Sequence, residues 1–197
     1  MIIMREFIYF SSKAVTSGNF SSNLKDAGRM DIVCHFVINS FFVSNAIRPS
    51  VRLHLVFYGP PDAPKHIVLE ITDANKDSFS KKDIAGLIKK MLYKYKKGQK
   101  IEVFDSCFIE KKSFSDVVDE LRKEGKEIYL LEKDGTPLRD MDLPKHSVFV
   151  LGDHEGIPKQ ERKSIEKSVK KISLGKVMYF ASQSLTVLQN ELDIRAS

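Results

Sequence analysis

Apolar positions recur along this chain with two different periods, and the two alternate. Short runs rich in Val, Ile, Leu and Phe occur at Ile2–Phe10, Val51–Tyr58, His66–Ile71, Lys100–Phe104, Glu127–Leu131, Ser147–Leu151 and Lys171–Leu174, and these read as strands. Between them the spacing is helical. Residues 29–44 bring Met30, Val33, Phe36, Val37, Phe41 and Ser44 onto one face. Residues 81–97 do the same for Ile84, Leu87, Ile88, Met91 and Tyr95, with lysines on the opposite face and Gly98 as a stop. Ser113 or Ser115 suits the cap of a helix over Asp116–Lys123, and Gly125 follows its end. Pro158 suits the first turn of a helix running to about Val169, and Leu185, Leu188 and Leu192 form a stripe over 182–193. Gly59–Pro64 and Lys133–Pro137 read as turns. Alternating strands and helices predict an α/β architecture with a mostly parallel sheet flanked by helices. No stretch resembles a linker, so a single domain over 1–197 is expected.

Composition narrows the class. With 197 residues, 42% of them hydrophobic, the chain can bury a full core without staples. The two cysteines, Cys34 and Cys107, lack the spacing of a disulfide framework or zinc site, which points to a reducing, cytoplasmic compartment and no metal. No run approaches the roughly 20 apolar residues of a membrane span, and the N-terminus lacks the pattern of a secretory signal. Charge is unevenly placed. Residues 81–100 hold eight lysines and one acid, +7 in all, whereas the whole chain is +6, so the remainder sums to −1. One basic stripe suits either a solvated helix face or a polyanion partner.

Motifs exclude several chemistries. There is no G-x-G-x-x-G after a strand, no P-loop, no G-x-S-x-G elbow and no His–Cys cluster. Two segments remain. SVFVLGDHEGIP (147–158) is an apolar strand that runs into Gly152, a short polar loop and a helix start. ISLGKVMYFASQSLTVLQNELD (172–193) repeats that order, and its loop Gly175–Phe180 is unusually apolar for a surface connection. In a parallel sheet both loops fall at the carboxyl ends of strands, where ligands bind.

These two segments resemble the C-terminal cofactor region of SPOUT methyltransferases. GRMDIVCHFVINSFFVSNAIRPSVRLHLV (28–56) is similar to the N-terminal signature of the archaeal family that methylates N1 of pseudouridine at tRNA position 54, and LEKDGTPL (131–138) matches that family's acidic turn. The similarity spans essentially the whole chain. Two positions depart from the pattern: His35 stands where Arg is expected and Ser184 where Cys is expected.

The resemblance implies a homodimer with a deep C-terminal trefoil knot. It also implies a bent S-adenosylmethionine held by Leu130, Gly152, Ser173, Leu174, Gly175, Lys176, Val177 and Met178, with Ser184 alongside. Its chemistry assigns roles to Asp31, as base or as the group orienting N1–H, and to Arg29 and Arg48, as forks for carbonyl or phosphate oxygens. tRNA is the expected partner, with Lys89, Lys90, Lys94 and Lys97 as candidate phosphate contacts. The rivals are a SPOUT enzyme with another RNA target and a non-catalytic RNA-binding factor of the same fold.

Overall fold

The computed structural model describes residues 4–196. Along the chain run β1 (Arg5–Ser11), α1 (Met30–Phe41), β2 (Val51–Phe57), β3 (Lys65–Glu70), α2 (Ile84–Lys94), β4 (Ile101–Phe104), β5 (Cys107–Glu110), α3 (Phe114–Lys123), β6 (Glu127–Pro137), β7 (Ser147–Gly152), α4 (Lys159–Ile165), β8 (Lys170–Ser173) and α5 (Ala181–Ala196). The strands form one sheet in the order β4-β5-β3-β2-β1-β7-β6-β8. β2, β1, β7, β6 and β8 are mutually parallel. β3, β5 and β4 add an antiparallel edge.

The sheet is buried on both faces, as a parallel sheet requires. On β1, Phe7 and Tyr9 point into the larger core under α1, α2 and α5, whereas Ile8 and Phe10 enter a second core under α3 and α4. This is why the central strands read as unbroken apolar runs rather than as alternations.

Several boundaries differ from the sequence expectation. Residues Ile2 and Ile3 of the first expected strand lie outside the described residues, and β1 begins at Arg5. α2 is shorter than 81–97: the Asp83 side chain accepts from Gly86 N at 2.9 Å and opens it, and Tyr95 turns extended (φ −57°, ψ 135°) and closes it before Gly98. β5 was hidden because its hairpin partner turns within Asp105–Ser106, too tight for any period to show. The stretch 133–137 is no simple turn. β6 continues to Pro137 through a break in register, so that Leu131 and Thr136 both face Ile172. A side chain at Gly135 would come within 2.4 Å of the Ile172 carbonyl carbon, and only glycine lets these two backbones meet so closely.

Candidate active site

β6, β7 and β8 end side by side, and their carboxyl ends open onto a cleft of about 390 Å³. A smaller chamber of about 90 Å³ adjoins it, sharing Leu131, Glu132, Lys133, Met178, Tyr179 and Ser184. Leu130 and Gly152 line the larger space, Ser173, Leu174, Gly175 and Val177 line the smaller, and Met178 and Ser184 line both. Thus the structure gathers these expected cofactor residues around one cavity. Lys176 is the exception: it is exposed and lines neither chamber.

The loops are shaped by their own backbone. Gly152 ends β7, and a Cβ there would lie 2.8 Å from the Gly156 carbonyl carbon and 2.9 Å from Ile157 N. The space beside Gly152 is therefore filled by the returning loop, so its lack of a side chain serves loop packing before it serves a ligand. The buried Ser173 hydroxyl donates to Lys133 O at 3.0 Å and accepts from Gly175 N at 3.1 Å, tying the ends of β8 and β6 together. Gly175 adopts φ 112°, a conformation that favours glycine.

Charge in the cleft is mainly negative: Glu132, Asp134, Asp153 and Glu155 face Lys133 and Arg162. The arms of Glu132 reach Arg162 and Lys171, and Lys13 reaches Glu155. Asp153 is buried and accepts from the Ser11 hydroxyl at 2.9 Å and from Ser12 N at 3.1 Å, which pins the end of β1 to the cleft. Asp153 was not singled out in the sequence, although it sits inside the LGDHEGIP segment that was.

The second half of the site is the start of α1. Gly28 (φ 67°) and Arg29 (φ 64°) are consecutive left-handed residues. A side chain at Gly28 would strike Lys13 O at 1.7 Å, and Arg29 bears the strain of that conformation as a non-glycine. The turn lays the Arg29 fork on Asp31, Nε to Oδ1 and Nη2 to Oδ2, both at 2.9 Å. The hydrogen bonds from Arg29 hold the Asp31 carboxyl below the usual carboxylate range, against a modest opposing effect of burial. Asp31 is consequently an ionised acceptor rather than a strong base. Between the two halves lies Tyr9 on β1, fully buried and packed on Phe36 with ring centroids 4.4 Å apart. Burial pushes its hydroxyl well above the ordinary range, and the charges of Asp153 and Asp31 push it further. Gly28 packs on the Lys13 backbone and the Lys13 side chain reaches Glu155 in the cleft, which places the start of α1 beside the cleft. The nearby Cys34 thiol is pushed by burial to about 12, so no thiolate nucleophile is available there.

Arg48 is placed elsewhere. It lies near the amino end of β2, at the opposite end of the sheet, and forms a bidentate pair with Asp193 at 2.8 Å beside Arg5. Lys89, Lys90 and Lys94 sit on α2 and Lys97 just beyond it, under the antiparallel edge rather than at the cleft.

The chain is similar to known proteins over its whole length. A family model described as "Putative SAM-dependent RNA methyltransferase" matches residues 4–196. A relative from Methanococcus aeolicus, named tRNA (pseudouridine(54)-N(1))-methyltransferase, is 36% identical over 96% of this chain and 98% of its own. A relative of the same name from Thermococcus kodakarensis is 35% identical over 96% and 99%. Among solved structures, Nep1 of Archaeoglobus fulgidus bound to S-adenosylhomocysteine superposes with a TM-score of 0.60, covering 98% of this chain and 100% of that one. At 16% identity that likeness concerns the fold.

Proposed function

We propose, on the premise that this chain belongs to the family of SAM-dependent RNA methyltransferases, that it methylates N1 of pseudouridine at position 54 in the TΨC loop of tRNA. The observation that carries the reading is the shared cavity. Strand ends, glycine loops and apolar side chains make the oily, backbone-lined slot that an adenine and a methionine chain need. Its surplus of carboxylates over cationic side chains suits a donor that carries a sulfonium. Leu130, Gly152, Ser173, Leu174, Gly175, Val177, Met178 and Ser184 would hold it, with Lys176 at the rim.

The bound cofactor supplies a methyl group already activated by positive charge, so the protein is left with positioning and one proton. N1 of pseudouridine must lose its hydrogen for its lone pair to attack. Asp31, kept ionised by Arg29, accepts a hydrogen bond from N1–H and so fixes the ring's orientation and raises the electron density on N1. The Nη1 of Arg29, the terminal nitrogen not engaged by Asp31, would take a carbonyl or phosphate oxygen of the target. The N1 proton leaves to water.

Two architectural readings go with this assignment. The apolar loop Val177–Phe180 and the outer residues Val187 and Ile194 of α5 are exposed, and a second copy of the chain is the partner that would cover them. A C-terminal trefoil knot goes with the family reading, in the region where β6 meets Ile172 of β8 at both Leu131 and Thr136. A mixture of the protein, labelled S-adenosylmethionine and a tRNA containing pseudouridine 54 tests the function. Label is expected in that tRNA and not in one carrying uridine 54. Equal labelling of both, or of neither, would refute it.

A further inference from the structure

Tyr93 is the one large aromatic of α2 that stands in solvent, 63% exposed. It is not a stray side chain. One side of its ring lies against the loop between β1 and α1: a Cβ at Gly18 would meet Tyr93 Cδ2 at 2.6 Å and the Lys89 carbonyl oxygen at 2.7 Å. Glycine at 18 lets the loop backbone press on the ring, and the remaining surface stays open. One helical turn before Tyr93, two ammonium groups are held by other rings. Lys89 Nζ lies 4.8 Å from the Phe20 centroid and Lys90 Nζ lies 4.4 Å from the Phe104 centroid. Among the described residues none of the eight lysines of 81–100 forms an ion pair.

From this geometry we infer that Tyr93 is a stacking platform for an unpaired nucleobase, with Lys89 and Lys90, one helical turn away, taking neighbouring phosphates. A backed, exposed ring with fixed cations one helical turn away is an arrangement that single-stranded nucleic acid favours, because every base has a π-face and every linkage a negative charge. The loop that backs Tyr93 also carries Ser12, bonded to Asp153 in the cleft, and ends at Arg29. A single RNA loop bound along it would therefore be read at both ends. The inference deepens the RNA-methylating function proposed above and rests on it for the identity of the RNA as tRNA.

Binding of two fluorescent 20-nucleotide RNAs tests it, one intact and one with abasic sites, alongside tRNA. The intact strand should bind the parent protein roughly tenfold tighter than the abasic strand, the scale of one base–aromatic stack. Tyr93→Ala should abolish that difference and weaken tRNA binding, and Tyr93→Phe should restore both. Because the side chain is exposed, thermal unfolding of Tyr93→Ala should match the parent. Equal affinity of parent and Tyr93→Ala for both strands would overturn the platform, whether or not the protein methylates tRNA. So would tighter binding of the parent to anionic vesicles than to RNA, or a change of oligomeric state in Tyr93→Ala. Loss of the base preference with rescue by Phe supports the platform even if position 54 is not the methylated site.

Discussion

Asp31 shows how one residue's neighbours set its charge state. A carboxylate in the first turn of a helix reads equally as a favourable partner of the helix dipole, and its position in the sequence does not separate the two. In the structure Arg29, in a left-handed turn after Gly28, clamps both oxygens and keeps the group ionised, a state that either role uses. Replacing Asp31 with Asn should lower the methyl-transfer rate by roughly 10²-fold, the scale of lost positioning, because the amide lacks the charge that orients and polarises N1–H. Calorimetry should find methyl-donor affinity unchanged; an unchanged rate would return Asp31 to a helix-dipole role. Gly152 carries a second residue-scale prediction. Gly152→Val should abolish donor binding, but through the loop. Added atoms would meet the Gly156–Ile157 backbone at under 3 Å, so the variant should also melt at lower temperature than the parent. Loss of binding with an unchanged melting temperature would place the ligand itself at that Cβ. The glycines were legible in the sequence as punctuation after strands. What each one makes room for was not, because that depends on segments distant in sequence, such as Lys13 against Gly28 and Ile172 against Gly135.

Elements with strong periodicity were legible as such. The helical face of Ile84, Leu87, Ile88 and Met91 is buried as the spacing predicts, and Ser113 caps α3, accepting from Asp116 N at 3.2 Å. Elements set by pairing were not. β5 is four residues long and exists through its contacts with β3 and β4, and β6 runs through a segment whose Asp-Gly-Thr-Pro composition reads as a turn. The loops that line the cleft were visible as strand-glycine-helix repeats, yet their convergence depends on β7, β6 and β8 being neighbours, which no local pattern encodes. The basic stripe was legible as charge alone. Its aromatic partners come from other elements: Phe20 from the first loop and Phe104 from β4. Changing Lys89, Lys90, Lys94 and Lys97 to Gln should weaken tRNA binding and flatten its salt dependence. Each lost phosphate contact should lower the logarithmic salt slope by roughly 0.7 to 0.9. A variant that keeps the parent's slope would make α2 a solubilising face.

At the scale of the molecule, a row of buried and half-buried polar groups crosses the sheet face opposite α1. Glu6 of β1 meets His54 of β2 at 2.9 Å, His54 meets His66 of β3 at 2.9 Å, and His66 meets Glu110 of β5 at 3.1 Å; Lys126 and Lys112 close the ends. Burial, with the charges of His54 and Lys112 adding to it, lowers His66 from 6.5 to about 4, although its bond to Glu110 opposes this. Burial alone would raise Glu6 and Glu110, but His54 with Lys126, and His66 with Lys112, more than offset it and hold both at about 2. The signs follow by linkage. Below pH 6.5 the unfolded chain protonates at His66 before the folded one, so stability falls as pH drops toward about 4. The contribution of the two glutamates is complete above about 4.5 and is lost as pH falls toward about 2. The melting temperature should therefore decline from pH 6.5 to 4, and His66→Gln should flatten that part of the curve; an identical curve would mean the row does not titrate with folding. The exposed apolar loop Val177–Phe180 predicts a dimer by light scattering at micromolar concentration, and a monomer would leave that surface unexplained. The central proposal is that strand ends, glycine loops and the Arg29–Asp31 turn together place a methyl group on a single nitrogen of a single tRNA nucleotide. Nucleoside mass spectrometry tests it most directly, on tRNA with pseudouridine at position 54 incubated with the protein and S-adenosylmethionine, then cut into mapped fragments. The account predicts N1-methylpseudouridine in the fragment containing position 54; a methyl group on a ribose 2′-hydroxyl, on another base, or at another position would contradict it.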